Sequence, residues 1–181
     1  MEITNDIQLK GTAWNRAIHE LGDIFATRTH YSLFMLSLSI GIMYDRRIES
    51  PVENGEDVKT VPRNVIYNND NGKLDFYFQA AILSTLTENL TEERRLELAF
   101  GEKPDFNKIA FLLSFANFGV EKLVEQIGAT PLESMENIKN FMVSTVEGRN
   151  FDINDLPIED IDIFGEYSVI IDRLSLLKYT T

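Results

Sequence analysis

Apolar residues recur at helical spacing along most of this chain. In "TAWNRAIHELGDIF", Trp14, Ala17, Ile18, Leu21 and Phe25 fall three or four apart, which predicts an amphipathic helix capped by Thr12. The next stretch, "THYSLFMLSLSIGIMYDR", is apolar nearly all round with serines between, the pattern of a helix buried on more than one side. "KLDFYFQAAILSTLTENL" predicts a third helix with Leu74, Phe78, Ala81, Ile82 and Leu86 roughly on one face. Thr91 opens a short charged helix, "TEERRLELAF", with Leu96, Leu98 and Phe100 at its apolar positions.

The most apolar segment is "FNKIAFLLSFANFGVEKLVEQI", for which Asp105 is the expected cap. Ile109, Leu112, Phe115 and Phe118 form one stripe, and Ala110, Leu113 and Ala116 another. Two stripes require neighbours on two sides, so this segment is the expected central helix of a bundle. Asn107, Lys108, Asn117, Glu121, Lys122 and Glu125 interrupt it, and a bilayer span needs roughly 20 mostly apolar residues. "TPLESMENIKNFMVSTVEG" carries the clearest helix start: Thr130 as cap, Pro131 in the first turn and Glu133 at capping-box spacing. Leu132, Met135, Ile138, Met142 and Val146 would form its apolar face, and Gly148 would stop it.

Elsewhere the helical period fails. Residues 1–11 read as a flexible lead. Residues of about 48–73 hold two prolines, two glycines and several Asn and Asp, a long connection with a short extended piece at Asn64–Tyr67. Near the end, "YSVII" is β-branched enough for a strand, with "NVIY" as its only partner in type, although a final helix from Tyr167 to Leu177 suits the same residues. The expected fold is mainly α: a compact orthogonal bundle of five to seven helices, with room for a minor two-stranded β element. Residues 1–150 would form a single helical domain. Residues 151–181 would be an acidic linker and a C-terminal helix or strand packed on it.

Composition narrows the chemistry. The chain of 181 residues is 44% hydrophobic, enough for a core, and lacks cysteine, which excludes disulfides and thiolate catalysis. The N-terminus has no basic region before an apolar run, so no signal peptide is expected, and a reducing cytoplasm fits. The formal charge is −12, from 17 Lys plus Arg against 29 Asp plus Glu, which argues against generic nucleic-acid binding.

Basic groups gather before residue 64. Arg28, Arg46, Arg47, Lys59 and Arg63 are candidate phosphate contacts, although Arg46 and Arg47 also suit a helix C-terminus. Acidic groups gather late, where Asp152, Asp155, Glu159, Asp160 and Asp162 form a candidate partner-docking patch. "HELGD" sets His19 and Asp23 four apart, with His30 further on. A zincin would need a second histidine at the position of Asp23. No phosphate-binding, dinucleotide-binding or nucleophile-elbow motif occurs, so no catalytic residue, resident metal or cofactor is expected.

One resemblance adds to this reading. An apolar helix ending in Gly41 and Arg46–Arg47, a proline-bearing linker, the segment "NVIYNNDNGKLDFYFQAAILST", and a helix containing Ala116–Asn117–Phe118–Gly119 follow one another. Over about residues 30–127 this layout resembles the small accessory proteins associated with DNA phosphorothioation (dnd) modification and restriction systems. The resemblance carries over no catalytic residues. It implies a non-enzymatic accessory or regulatory subunit, contacting a larger protein of a DNA-modifying or restricting complex. Three alternatives stay open: an acidic DNA-mimic inhibitor, a small DNA-binding module with weak or indirect DNA contact, and a metal-dependent hydrolase. A homo-oligomer fits the apolar surfaces, and no membrane partner is expected.

Overall fold

The computed structural model describes residues 3–25, 30–86, 89–101 and 106–147. The fold is mainly α with one two-stranded antiparallel sheet. In chain order the elements are β1 (Ile7–Leu9), α1 (Thr12–Glu20), α2 (Gly22–Phe25), α3 (His30–Tyr44), β2 (Lys59–Val61), α4 (Arg63–Asn69), α5 (Lys73–Ser84), α6 (Glu92–Phe100), α7 (Lys108–Val124) and α8 (Pro131–Glu147). The chain divides into two compact units, Met1–Phe141 and Met142–Thr181. The expected tail elements, Gly148 and the acidic patch from Asp152 to Asp162 lie outside the described residues.

Helix α7 is the spine of the first unit, packing against α1, α3 and α5. Its buried residues include Phe111, Leu112, Phe115, Ala116, Val120 and Leu123. Of the first predicted stripe Leu112 and Phe115 are buried and Ile109 and Phe118 half-buried, whereas in the second only Ala116 is buried, Leu113 is half-buried and Ala110 is exposed. Each large side chain buried this way stabilises the fold by roughly 1.5–3 kcal/mol. Asn107 caps α7 by accepting the Ala110 N–H at 3.0 Å, the role the sequence suggested for Asp105, which lies outside the described residues. Along one side, the rings of Phe78, Phe111 and Phe115 succeed one another edge to face, with centroids 5.7 and 5.1 Å apart.

Helix α3 lies antiparallel along α7, with Gly41 facing Phe115 and Ser37 facing Gly119. The contact is close because two glycines form it. A Cβ on Gly41 would strike the Phe115 carbonyl, and one on Gly119 would strike the Ser37 carbonyl. From α1, the fully buried Trp14 donates its indole N–H to Asn117 Oδ1 at 2.8 Å, and Asn117 Nδ2 donates to the Ile48 carbonyl at 2.9 Å.

Eight helices appear among the described residues, more than five to seven, for two local reasons. The first predicted helix breaks at Leu21–Gly22 into α1 and α2, where glycine lowers helix propensity. The long connection also contains α4, so "NVIY" is helical rather than extended. A helix there buries Ile66 while Tyr67 stays in solvent, and this tertiary choice outweighs the β-branched composition.

The sheet forms where the sequence predicted only a lead and a connection. Ile7, Gln8 and Leu9 pair with Val61, Thr60 and Lys59. Alternation explains it: Ile7 and Leu9 turn into the core with Val61, and Gln8 faces out.

Candidate functional site

The sequence-predicted basic residues occupy separate places. Arg46 is exposed just beyond α3. Arg47 folds inward, its guanidinium 5.2 and 5.7 Å from the ring centroids of Phe111 and Phe115, with Nη2 at 3.9 Å from Glu49 Oε1. Lys59 opens β2 opposite Leu9. Arg63 opens α4, donating its backbone N–H to Asp6 Oδ1 at 2.8 Å and Nη1 to the Thr4 carbonyl at 3.3 Å. His30, the first residue of α3, lies 3.1 Å through Nδ1 from the Thr60 carbonyl. Lys59 and Arg63 therefore sit near one end of α3 and Arg46 and Arg47 at the other, about 20 Å apart along a helix of this length. Arg28 lies outside the described residues.

His19 is exposed in the last turn of α1, and Asp23 follows the helix break, so the two do not share one continuous helix face. Among the described residues no three His, Asp or Glu side chains come together to hold a metal ion. Tyr31 donates to Asp70 Oδ1 at 2.9 Å, and burial followed by that hydrogen bond pushes its phenol above the usual range. Asp70 also accepts from the Gly72 and Leu74 N–H groups, which makes it the anchor of the α4–α5 turn.

Among the described residues, one grouping of exposed apolar side chains lies on the outer side of the α5–α6 pair. These helices run antiparallel: Gln79 Nε2 donates to the Ala99 carbonyl, and Arg95 Nη1 donates to the carbonyls of Ile82 and Thr85. Leu74, Phe78, Ala81 and Ile82 of α5 and Leu98 and Ala99 of α6 are buried. Phe76 and Leu83, two helical turns apart, remain 66% and 41% exposed. Leu96 and Phe100, one turn apart, remain 48% and 64% exposed. Helix geometry places these two pairs beside the α5–α6 seam, toward solvent. A cleft of about 760 Å³ opens beside Phe100, with Asp75, Gln79, Phe106 and Lys108 on its walls.

The three apolar positions of α6, Leu96, Leu98 and Phe100, divide between two faces: Leu98 is buried, whereas Leu96 and Phe100 are exposed. Residues two apart on a helix point about 200° apart, so Leu98 and the Leu96–Phe100 pair must face opposite ways. Leu86, expected on the inner face of α5, lies past the helix end and is exposed. No helix among the described residues is long and apolar enough to cross a membrane.

Comparisons of this chain with protein-family models, curated proteins and solved structures found no match.

Proposed function

We propose that this chain is a non-enzymatic accessory or regulatory subunit of a prokaryotic DNA-modification or anti-phage defence system, working in the cytoplasm through protein–protein contacts. The observation that carries the reading is the exposed apolar grouping of Phe76, Leu83, Leu96 and Phe100 on the α5–α6 pair. Single exposed apolar residues are ordinary, but four large ones on two adjoining helices suit a docking surface for another protein. The layout of residues 30–127 supplies the class of partner, a larger DNA-modifying or restricting protein.

The test is affinity purification of the tagged chain from its native host at two salt concentrations, with mass-spectrometric identification of bound proteins. Retention of a DNA-modifying or restricting enzyme is the expected result. Recovery of the chain alone, at adequate expression, would overturn the reading. The charge of −12 favours one second reading, an acidic mimic of DNA that inhibits such an enzyme. Adding purified chain to the recovered enzyme separates the two, because an inhibitor lowers turnover in a salt-sensitive way.

A further inference from the structure

The outer side of α5–α6 has a charge as well as a shape. Glu92 and Glu93 stand four and three residues before Leu96, on its side of α6, and both are exposed. The arginines of this helix are directed elsewhere. Arg94 pairs with Glu97, and Arg95 reaches the carbonyls of Ile82 and Thr85. First-turn carboxylates suit the helix dipole, which accounts for Glu92 and Glu93 as local stabilisers but not for the apolar exposure beside them. The surface is therefore apolar along the seam and acidic at one edge.

An anionic lipid surface or a nucleic-acid backbone would meet repulsion at that edge, whereas a cationic amphipathic segment matches both parts. Phe76 and Leu83 lie about 10 Å apart along α5, a length that two to three helical turns of a partner cover. Resting on the accessory-subunit reading, we propose that the α5–α6 face receives a short amphipathic helix of the partner. Its apolar stripe seats on Phe76, Leu83, Leu96 and Phe100, and its Lys and Arg edge lies against Glu92 and Glu93.

The test uses the full chain and two labelled helical peptides of about 14 residues, one of Leu and Lys and one of Leu and Glu with the same apolar stripe. Fluorescence anisotropy should show the wild type preferring the Leu/Lys peptide by about tenfold or more. Glu92→Lys with Glu93→Lys should reverse that preference. Phe76→Glu with Leu96→Glu should weaken binding of the preferred peptide by about tenfold or more, with an unchanged circular-dichroism melt. Equal binding of both peptides, or preference unaffected by charge reversal, overturns the proposal. So does tighter binding to phosphatidylserine vesicles than to the Leu/Lys peptide. Should the apolar double variant unfold, the charge-reversal pair decides the outcome. Purification from the host separates this proposal from the reading beneath it. An enzyme retained equally by wild type and by folded Phe76→Glu/Leu96→Glu refutes this face alone, while no enzyme retained by wild type refutes the accessory role.

Discussion

Trp14 and Asn117 are joined by a 2.8 Å hydrogen bond across 103 residues of sequence, and the same Asn117 amide holds the Ile48 carbonyl at 2.9 Å. One buried side chain of α7 thereby ties α1 to the segment leaving α3. Replacing Asn117 with Ala strands a buried indole N–H and a backbone carbonyl together. The expected loss is roughly 2–4 kcal/mol. At this chain length that lowers Tm by roughly 5–15 °C. Trp14 is the only tryptophan, so its fluorescence reports the melt directly. A melt matching wild type would show that the link carries no weight.

The α3–α7 crossing depends on what its residues lack. Gly41→Ala and Gly119→Ala each place a methyl against a backbone carbonyl of the facing helix, and each should cost about 3 kcal/mol or more. Gly22→Ala is the control: nothing lies within 4 Å of its added Cβ, and a gain of roughly 0.5–1 kcal/mol is expected in α2. Ser37 Oγ is buried at the same crossing without a hydrogen-bond partner among the described residues. Ser37→Ala should therefore be neutral or stabilising by up to about 1 kcal/mol. Urea denaturation midpoints measure all four, and equal effects from the three glycine changes would contradict the crossing.

The start of α8 is a capping arrangement. Thr130 Oγ1 accepts the Glu133 N–H at 3.2 Å, and Glu133 Oε2 accepts the Ala129 N–H at 2.8 Å. Thr130→Ala should cost about 1 kcal/mol, while Thr130→Ser should cost much less. Denaturation midpoints of the two variants check this, and indistinguishable values would remove the cap from the account.

Glu56 holds the connection between α3 and β2 to the start of α1. Its carboxylate accepts from Thr12 Oγ1 at 2.6 Å and from the Asn54 N–H at 2.7 Å, and these bonds, that from Thr12 foremost, lower its pKa. A lowered folded-state pKa means the contribution is complete above the unfolded value of about 4.3 and is lost as pH falls through the lower folded value. The Asn54 amide resonance should move with a midpoint below that of a free glutamate. In Glu56→Gln it should stay still over the same range. A midpoint at the ordinary value would break the clasp.

Leu132 and Met135, which the helical period assigns to the core, are 62% and 50% exposed, while Ser134 is 1% exposed. Ser134 Oγ accepts the Gly128 N–H and donates to the Thr130 carbonyl, so a small polar residue takes the inner position where the chain turns into α8. Leu132→Lys and Met135→Lys should each change stability by no more than about 0.5 kcal/mol. Calorimetric melts decide, and a large loss from either would return these side chains to the core.

The limits of sequence reading follow from what its patterns encode. Spacing marks how many sides of a helix are apolar, and α3 and α7 were legible on that basis. It does not say which apolar side remains unmet when a helix is short and has one neighbour. Phe76, Leu83, Leu96 and Phe100 are ordinary core residues by type, and their exposure became visible only when α5 and α6 had partners. The basic residues show the reverse case. Arg47 has the type of a surface contact, yet its guanidinium lies over Phe111 and Phe115.

Local chemistry by itself determined the mainly helical fold, the cap of α6, where Thr91 Oγ1 accepts the Arg94 N–H, the Thr130 cap of α8 and the central place of α7, because periodicity and capping act within a few residues of chain. Only the tertiary structure decided that residues 7–9 and 59–61 would pair, that "NVIY" would be helical, and that Asn117 would meet Trp14. Those outcomes rest on burial and hydrogen bonds between segments far apart in sequence, where the free energy of a residue depends on a neighbour that its own stretch of chain does not name.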